Sequence, residues 1–356
     1  MKRKLLSILL AVTLVAGMMT GCGAKEEAPA AAPSAEPAET AAPEATPDAA
    51  PTESPAANAA QTGTAGASGL KIGVCYCMLS APAVKVFAQG IQEKAKELGV
   101  ELIELDGGFD ASKQTDQINS LVSQKVDGIV LNPVDGTSII PAVKAAKEAG
   151  IPVVMGAMDI DESGREYVVS FVGADDKDVG AAAGKKMLET LGEKGGKVAI
   201  VEGTAGTSAA TLRTEGFEEA IKGSSIEVVT KLSADFDKAK AMSITEDILT
   251  KYPDLSGIWV HDDTMCVGVA QAMKSMGYTG EDLKVVSYNG SKNGADMVKS
   301  GEIVATSVQP LVDEGRTSIE VLVKAISGET VETWYKDKID MLDASNVDSY
   351  DPALLW

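Results

Sequence analysis

The runs KIGVCYC (71–77), VELIEL (100–105), VDGIVLN (126–132) and IPVVMG (151–156) decide the fold. All are of strand length. Between and after them lie helix-length stretches whose apolar residues recur at 3.6-residue spacing, among them 84–98, 137–149, 178–191 and 212–221. A second series of strand-like runs follows: VAIVEG (198–203), SIEVVTKL (225–232), GIWVH (257–261), KVVSYN (284–289) and IVATSV (303–308). Strand–helix alternation repeated this often predicts an α/β protein with doubly wound parallel sheets covered on both faces. From Leu70 onward there are about 287 residues, more than one core comfortably holds, so two α/β lobes are expected.

The N-terminus reads differently. Lys2, Arg3 and Lys4 precede an apolar stretch from Leu5 to Met18, too short for a comfortable membrane span of roughly 20 residues. Small residues then lead to Cys22, the layout of a secretory signal over 1–21 whose cleavage leaves Cys22 first. The order Met19-Thr20-Gly21-Cys22 resembles the bacterial lipobox, which implies a lipid-modified Cys22 and a membrane anchor. Residues 22–69 are mostly Ala, Pro, Glu, Thr and Ser, without an aromatic residue. Such a segment buries too little apolar surface to offset its ordering entropy and is expected to be a disordered, lipid-proximal tether.

The formal charge is −20, and loss of the signal's basic residues makes the remainder still more acidic. That argues against nucleic acid, whose binding rests on Lys and Arg neutralising phosphates. Cys75 and Cys77 are two apart on one expected strand and cannot easily pair, and Cys266 falls on an expected helix. Three buried free thiols are expected, not a disulfide framework.

In open α/β sheets, ligands sit off the carboxyl ends of the strands. The segments that follow the apolar runs carry Asp, Asn, Ser, Thr and Gln, a lining suited to hydroxyls more than to phosphate. Enzyme readings fare poorly. His261 is the only histidine, and there is no G-x-S-x-G elbow, Walker loop or H-E-x-x-H motif. No cofactor is expected, and Asp262-Asp263 alone is too small a set for a metal.

The body of the chain resembles the ribose-type periplasmic binding proteins, the solute receptors of bacterial ABC sugar importers. The resemblance rests on Glu202-Gly-Thr-Ala-Gly-Thr-Ser-Ala-Ala-Thr-Leu-Arg-Thr-Glu-Gly-Phe217, Ala234-Asp-Phe-Asp237, Leu131-Asn-Pro-Val-Asp135 and Val285-Val-Ser-Tyr-Asn-Gly290, in collinear order. It implies two lobes, 70–172 plus 310–337 and 173–309 plus 338–356, joined by a three-crossing hinge near Gly173, Gln309 and Lys338. The lobes would close on a small sugar or polyol-like solute.

By resemblance, Arg213 is the arginine that engages the sugar, Phe236 the ring that stacks on it, and Asp262, Asn289 and Gln309 are hydrogen-bonding positions of the cleft. At Asp262 an acid replaces an amide, and at Asn289 an amide replaces an acid. The first lobe departs from the pattern. Ala83 and Val84 stand where ribose receptors carry paired aromatics, Ala81 where they carry an asparagine, Ala157 and Met158 where they carry an Asp-Arg pair, and Cys77 replaces a small hydroxyl residue. These losses argue against ribose as the main ligand. An apolar wall of Cys77, Met78, Met155 and Met158 is expected instead, with Asp159 taking over a polar role. The implied partner is an ABC permease, the protein itself a lipid-anchored, extracytoplasmic monomer. The alternative is a ligand-binding partner of a chemoreceptor or sensor kinase.

Overall fold

A computed structural model describes residues 67–351 and 355–356. The expected signal segment 1–21, Cys22, and all but the last residues of the expected tether lie outside the described residues.

The first half alternates β1 (Lys71–Tyr76), α1 (Pro82–Leu98), β2 (Glu101–Asp106), α2 (Ala111–Gln124), β3 (Gly128–Leu131), α3 (Ile140–Glu148), β4 (Val153–Gly156) and β5 (Ser170–Gly173). The chain continues through α4 (Asp176–Leu191), β6 (Gly196–Glu202), α5 (Ser208–Ala220), β7 (Ile226–Ser233), α6 (Lys238–Lys251) and β8 (Leu255–Val260). Then come α7 (Asp263–Ser275), β9 (Lys284–Asn289), α8 (Lys292–Ser300), β10 (Ala305–Val308), α9 (Leu311–Ile326), β11 (Trp334–Lys336) and β12 (Asp340–Asp343).

Two six-stranded sheets result, ordered β11-β5-β4-β3-β1-β2 and β12-β10-β9-β8-β6-β7. The doubly wound, two-lobe α/β expectation holds, with one difference. Strand β12 runs antiparallel to β10, which an edge strand arriving directly from the other lobe is free to do. Strands β5, β11 and β12, of three or four residues, have no counterpart in the sequence reading. Helix α5 starts at Ser208, earlier than expected, because the Thr207 hydroxyl accepts from Ala210 N and caps it.

Both faces of each sheet are covered, and the period-2 alternation of a strand distributes its side chains between two cores. In β1, Ile72, Val74 and Tyr76 pack under α1 and α9, while Cys75 packs on the opposite face with Ile118 and Leu121 of α2. In β6, Val198 and Ile200 pack under α4 and α5, while Ala199 and Val201 pack under α6 and α7. Cys75, Cys77 and Cys266 are buried and free, as expected. Burial pushes the thiols of Cys75 and Cys77 up to about 12. Cys77 lies past the end of β1, so the two thiols occupy different environments. Met155, expected on the ligand wall, is a fully buried core residue.

Each lobe contains a helix pair that meets at glycines. A Cβ on Gly90 would lie 2.0 Å from Val312 O, and one on Gly315 would lie 2.2 Å from Phe87 O, so α1 and α9 touch backbone to backbone. In the other lobe a Cβ on Gly180 would lie 1.9 Å from Arg213 O, and one on Gly216 would lie 1.9 Å from Lys177 O. This second seam draws α5 onto the first turn of α4 and sets the height of Arg213. Gly180→Ala must therefore separate the two helices. It is expected to lower stability by about 1–3 kcal/mol, as overpacking generally does, read as a reduced midpoint in urea denaturation. An unchanged midpoint would refute the seam.

Candidate functional site

Between the carboxyl ends of the two sheets lies a cavity of about 90 Å³. At roughly 10–15 Å³ of such space per water-sized group, it has room for about six to nine such groups, the scale of a small solute. Met78, Met158, Arg213, Phe236, Asp262, Asn289 and Gln309 line it together. Asp159 does not. It lines a separate hollow with Gly136, Arg165, Thr207 and Trp334, and its carboxylate is ion-paired with Arg165. Burial, opposed by the Arg165 charge, raises that carboxyl to about 6. The polar role expected of Asp159 in the cavity is thus not met: β4 ends at Gly156, and the loop beyond it turns the acid toward Arg165.

Arg213 sits two turns into α5 and is almost fully buried. Its Nε donates to Asp176 Oδ1 and its Nη1 to the His261 carbonyl, both at 2.7 Å. The guanidinium also lies 4.4 Å from the centre of the Tyr288 ring. Two of the five N–H donors are thereby used, and the remaining ones are available to an occupant of the cavity. Asp176 provides the charge that makes burial of the guanidinium tolerable.

Phe236 follows β7 in the left-handed conformation (φ 54°), as does Asp235 before it (φ 53°). Its ring lies against the backbone of Gly203, where an added Cβ would meet ring carbons at 2.1–2.5 Å. Gly203 is therefore needed for the ring to take this place. Two other cavity residues from the first lobe, Phe109 (φ 62°) and Ala157 (φ 60°), share the left-handed conformation. For a bulky side chain this conformation is rare and costs on the order of 1–3 kcal/mol. Phe109 was not singled out from sequence. The available signal was its place in Asp106–Asp110, directly after the second strand run.

Asp262 caps α7, its Oδ1 accepting from Met265 N at 2.7 Å. Burial raises its carboxyl to about 7, against the pull of that backbone N–H, with Asp263 adding to the rise and Arg213 opposing it. Asp263 points away and accepts from Ser291 N and the Thr306 hydroxyl. Burial raises it to about 6. His261 is scaffold. Its Nδ1 accepts from Gly203 N at 3.4 Å, so its proton lies on Nε2, facing Thr214 Oγ1 at 3.3 Å, and that hydroxyl donates to Glu202 at 2.6 Å. Burial, then the Arg213 charge, holds its pKa well below the ordinary histidine value, so the ring is neutral.

Asn289 ends β9 at φ 103°. Its Nδ2 donates to Gln309 Oε1 at 2.8 Å. Its backbone carbonyl accepts from Trp356 Nε1 at 2.9 Å. Its Oδ1 is buried with no hydrogen-bond partner among the described residues. Gln309 in turn donates to both oxygens of Glu314, at 2.9 and 3.2 Å.

The first-lobe wall is different in kind. Cys77, Met78, Ala81, Pro82, Ala83, Val84, Phe87, Phe109, Ala157 and Met158 are apolar or nearly so. The one amide there, Asn132, is committed to the scaffold: its Oδ1 accepts from Cys77 N at 3.3 Å and its Nδ2 donates to Gly156 O at 3.1 Å. Among the described residues no cluster of His, Cys, Asp and Glu is placed to hold a metal ion.

A family profile described as a periplasmic binding protein domain matches residues 72–330. The chain is 34% identical over 262 residues to the ribose import binding protein of Bacillus subtilis, covering 73% of this chain and 83% of that protein. It is 33% identical over 244 residues to the D-allose-binding periplasmic protein of Escherichia coli, covering 67% and 78%. Among solved structures, an ABC transporter solute binding protein from Bacillus halodurans with bound myo-inositol superimposes with a TM-score of 0.75 at 27% identity, covering 81% of this chain and 99% of that one.

The acidity of Asp262 carries a prediction. Its folded pKa is raised from an unfolded value near 4 to about 7. Its contribution to stability is therefore fully present below about pH 4 and is lost as pH rises through about 7. Asp262→Asn keeps the cap, since asparagine caps as well as aspartate. In thermal melts the variant is expected to be more stable relative to the parent at pH 8 than at pH 5. An equal difference at both pH values would show that Asp262 is not buried as described.

Proposed function

The chain belongs to the periplasmic binding protein family, and we propose that it captures one small, neutral sugar or polyol between its lobes, outside the cytoplasm, and delivers it to an ABC importer. The observation that carries this reading is the two-sided cavity. Directional polar groups come from one lobe and an apolar wall from the other, around a space for one small solute. Arg213 is already matched by Asp176, and Asp262 is held toward its neutral form, so the lining offers no uncompensated charge for an ionic solute. The relatives named for ribose and D-allose, and the neighbour holding myo-inositol, are consistent with a hydroxyl-rich occupant.

In this reading Arg213 donates to adjacent hydroxyls, and Asp262 and Asn289 bond to others. Phe236 covers a C–H face, with Phe109 facing it from the first lobe. Met78 and Met158 pack against the side of the solute that bears no hydroxyl. Ribose presents hydroxyls in every direction, and the first lobe has no free side chain to receive them. A solute with an apolar edge, such as a 6-deoxy sugar, fits better. The closing bodies are 70–172 plus 310–337 and 173–309 plus 338–356. A lipid on Cys22 and the tether 22–69 keep the monomeric receptor near its permease. No catalysis is assigned.

Thermal melts with D-ribose, D-allose, myo-inositol, xylitol and D-fucose test this. At about 100 times its dissociation constant a bound solute adds about 2.7 kcal/mol of stability. A solute with an apolar edge is expected to give a larger shift than ribose, and Phe236→Ala to abolish it. Arg213→Ala is a poorer probe, since it leaves Asp176 buried without its partner and is expected to cost about 3–5 kcal/mol by itself. A larger shift with ribose than with every other solute, or none with any sugar or polyol, would overturn the reading.

A further inference from the structure

The three chain crossings between the lobes are laced together. Asp337 N donates to Gly173 O at 3.3 Å, and Trp334 Nε1 to the same carbonyl at 3.0 Å, tying the third crossing to the first. The second crossing carries Gln309, and Glu314 lies in the first turn of the helix that follows it. Glu314 is buried, its side chain in hydrogen-bond contact with that of Asp337. Two carboxyl groups in such contact cannot both ionise, and they hold one proton between them. Asp337 Oδ2 is buried and receives no N–H or hydroxyl among the described residues, which leaves that shared proton as its donor.

Among the described residues no cation is ion-paired with either carboxyl group. The ionisable groups that face it are Asp176 on α4, Tyr288 on β9 and Asp313 on α9, and Arg213 on α5 is engaged with Asp176. Lys336 is turned to Asp175 and Asp178, and Lys338 to Asp340. Burial first, then the neighbouring Asp337, holds the Glu314 carboxyl well above the ordinary range, and burial raises Asp337 as well.

The amide of Gln309 has no freedom in this setting. Its Nε2 faces two carboxyl oxygens, so its Oε1 must face Asn289, and only Asn289 Nδ2 can meet that oxygen. The consequence reaches a residue that lines the cavity: the amide atom that Asn289 is left with unpartnered is Oδ1, an acceptor, and not an N–H. We propose that Glu314 is a positioning residue for the solute site, fixing through Gln309 the acceptor that Asn289 offers, and that the proton it shares with Asp337 holds the second and third crossings in the solute-binding geometry. This rests on reading the cavity as a solute site. A hydroxyl donor on the solute is then required opposite Asn289, and loss of the shared proton at alkaline pH sets two carboxylates against each other across the crossings.

Two substitutions separate positioning from mere packing. Gln at 314 reproduces the protonated acid, accepting from Gln309 and donating to Asp337, but cannot ionise. Met fills the space and does neither. The side-chain amide signals of Asn289 and Gln309 in ¹H–¹⁵N spectra of the parent, Glu314→Gln and Glu314→Met proteins, followed from pH 5 to 9, read the relay without any solute. The parent signals are expected to titrate together. Glu314→Gln should hold the low-pH positions throughout, and Glu314→Met should displace or broaden both. Binding of D-allose, myo-inositol and D-fucose is expected to weaken more steeply with rising pH in the parent than in Glu314→Gln, where the slope that remains is that of Asp262, and to fall about tenfold or more in Glu314→Met. Amide signals that ignore pH in the parent, or that are unmoved in Glu314→Met, overturn the positioning role. If the amide signals behave as expected but none of the three solutes binds the parent, the relay stands and the reading of the cavity as a sugar site is what fails.

Discussion

The buried pair of Arg213 and Asp176 is the interaction on which the site depends. An arginine this deep is tolerable only with its charge matched and its donors occupied. Asp176 does the first from the opening turn of α4, immediately after the chain has crossed from the first lobe. The glycine seam between α4 and α5 brings the two side chains to 2.7 Å. The same guanidinium holds the His261 carbonyl and lies over Tyr288, so it gathers the ends of β8 and β9 around one point. What remains of its donor fork defines the polar side of the cavity.

Backbone strain follows the same geography. Of the non-glycine residues with positive φ among those described, Phe109, Ala157, Phe236 and Asn289 line the cavity, Asp235 adjoins it, and only Lys125 is an ordinary helix terminus. Strain of this kind persists where surrounding structure over-determines it. Here the determinants can be named: the Phe236 ring against Gly203, and the Asn289 backbone held by Gln309 N and by Trp356. The positions of Phe236 and Asn289 are therefore fixed by the fold around them.

Much of this was legible from sequence. The alternation of runs gave two α/β lobes, the rule that ligands sit beyond strand ends marked the segments to search, and the resemblance to ribose-type receptors pointed to Arg213, Phe236, Asp262, Asn289 and Gln309, which with Met78 and Met158 line one cavity. The failures have physical causes. Asp159 and Met155 flank cavity residues in sequence, but the loop after β4 and the alternation within it turn them to Arg165 and to the core. Phe109 faces the cavity because its backbone is left-handed, and no residue-type pattern announces that. Glu314 was not singled out from sequence. Its carboxyl neighbour, Asp337, is brought in by the third crossing, and no local window contains both.

The division of chemistry between the lobes suits a hinged receptor. Hydrogen bonds are directional and weaken steeply with misalignment, so they work best within one rigid body. Here the free polar side chains of the cavity are held in the second lobe or at the hinge, cross-braced by α4, β8 and β9. Apolar contact is non-directional and scales with the area removed from water, about 25 cal/mol per Å². The first lobe, offering methionine, alanine, valine and phenylalanine, can close over a solute without matching an angle to tenths of an ångström. Discrimination is thereby assigned to the lobe that carries the directional groups and driving force to the lobe that carries the apolar wall.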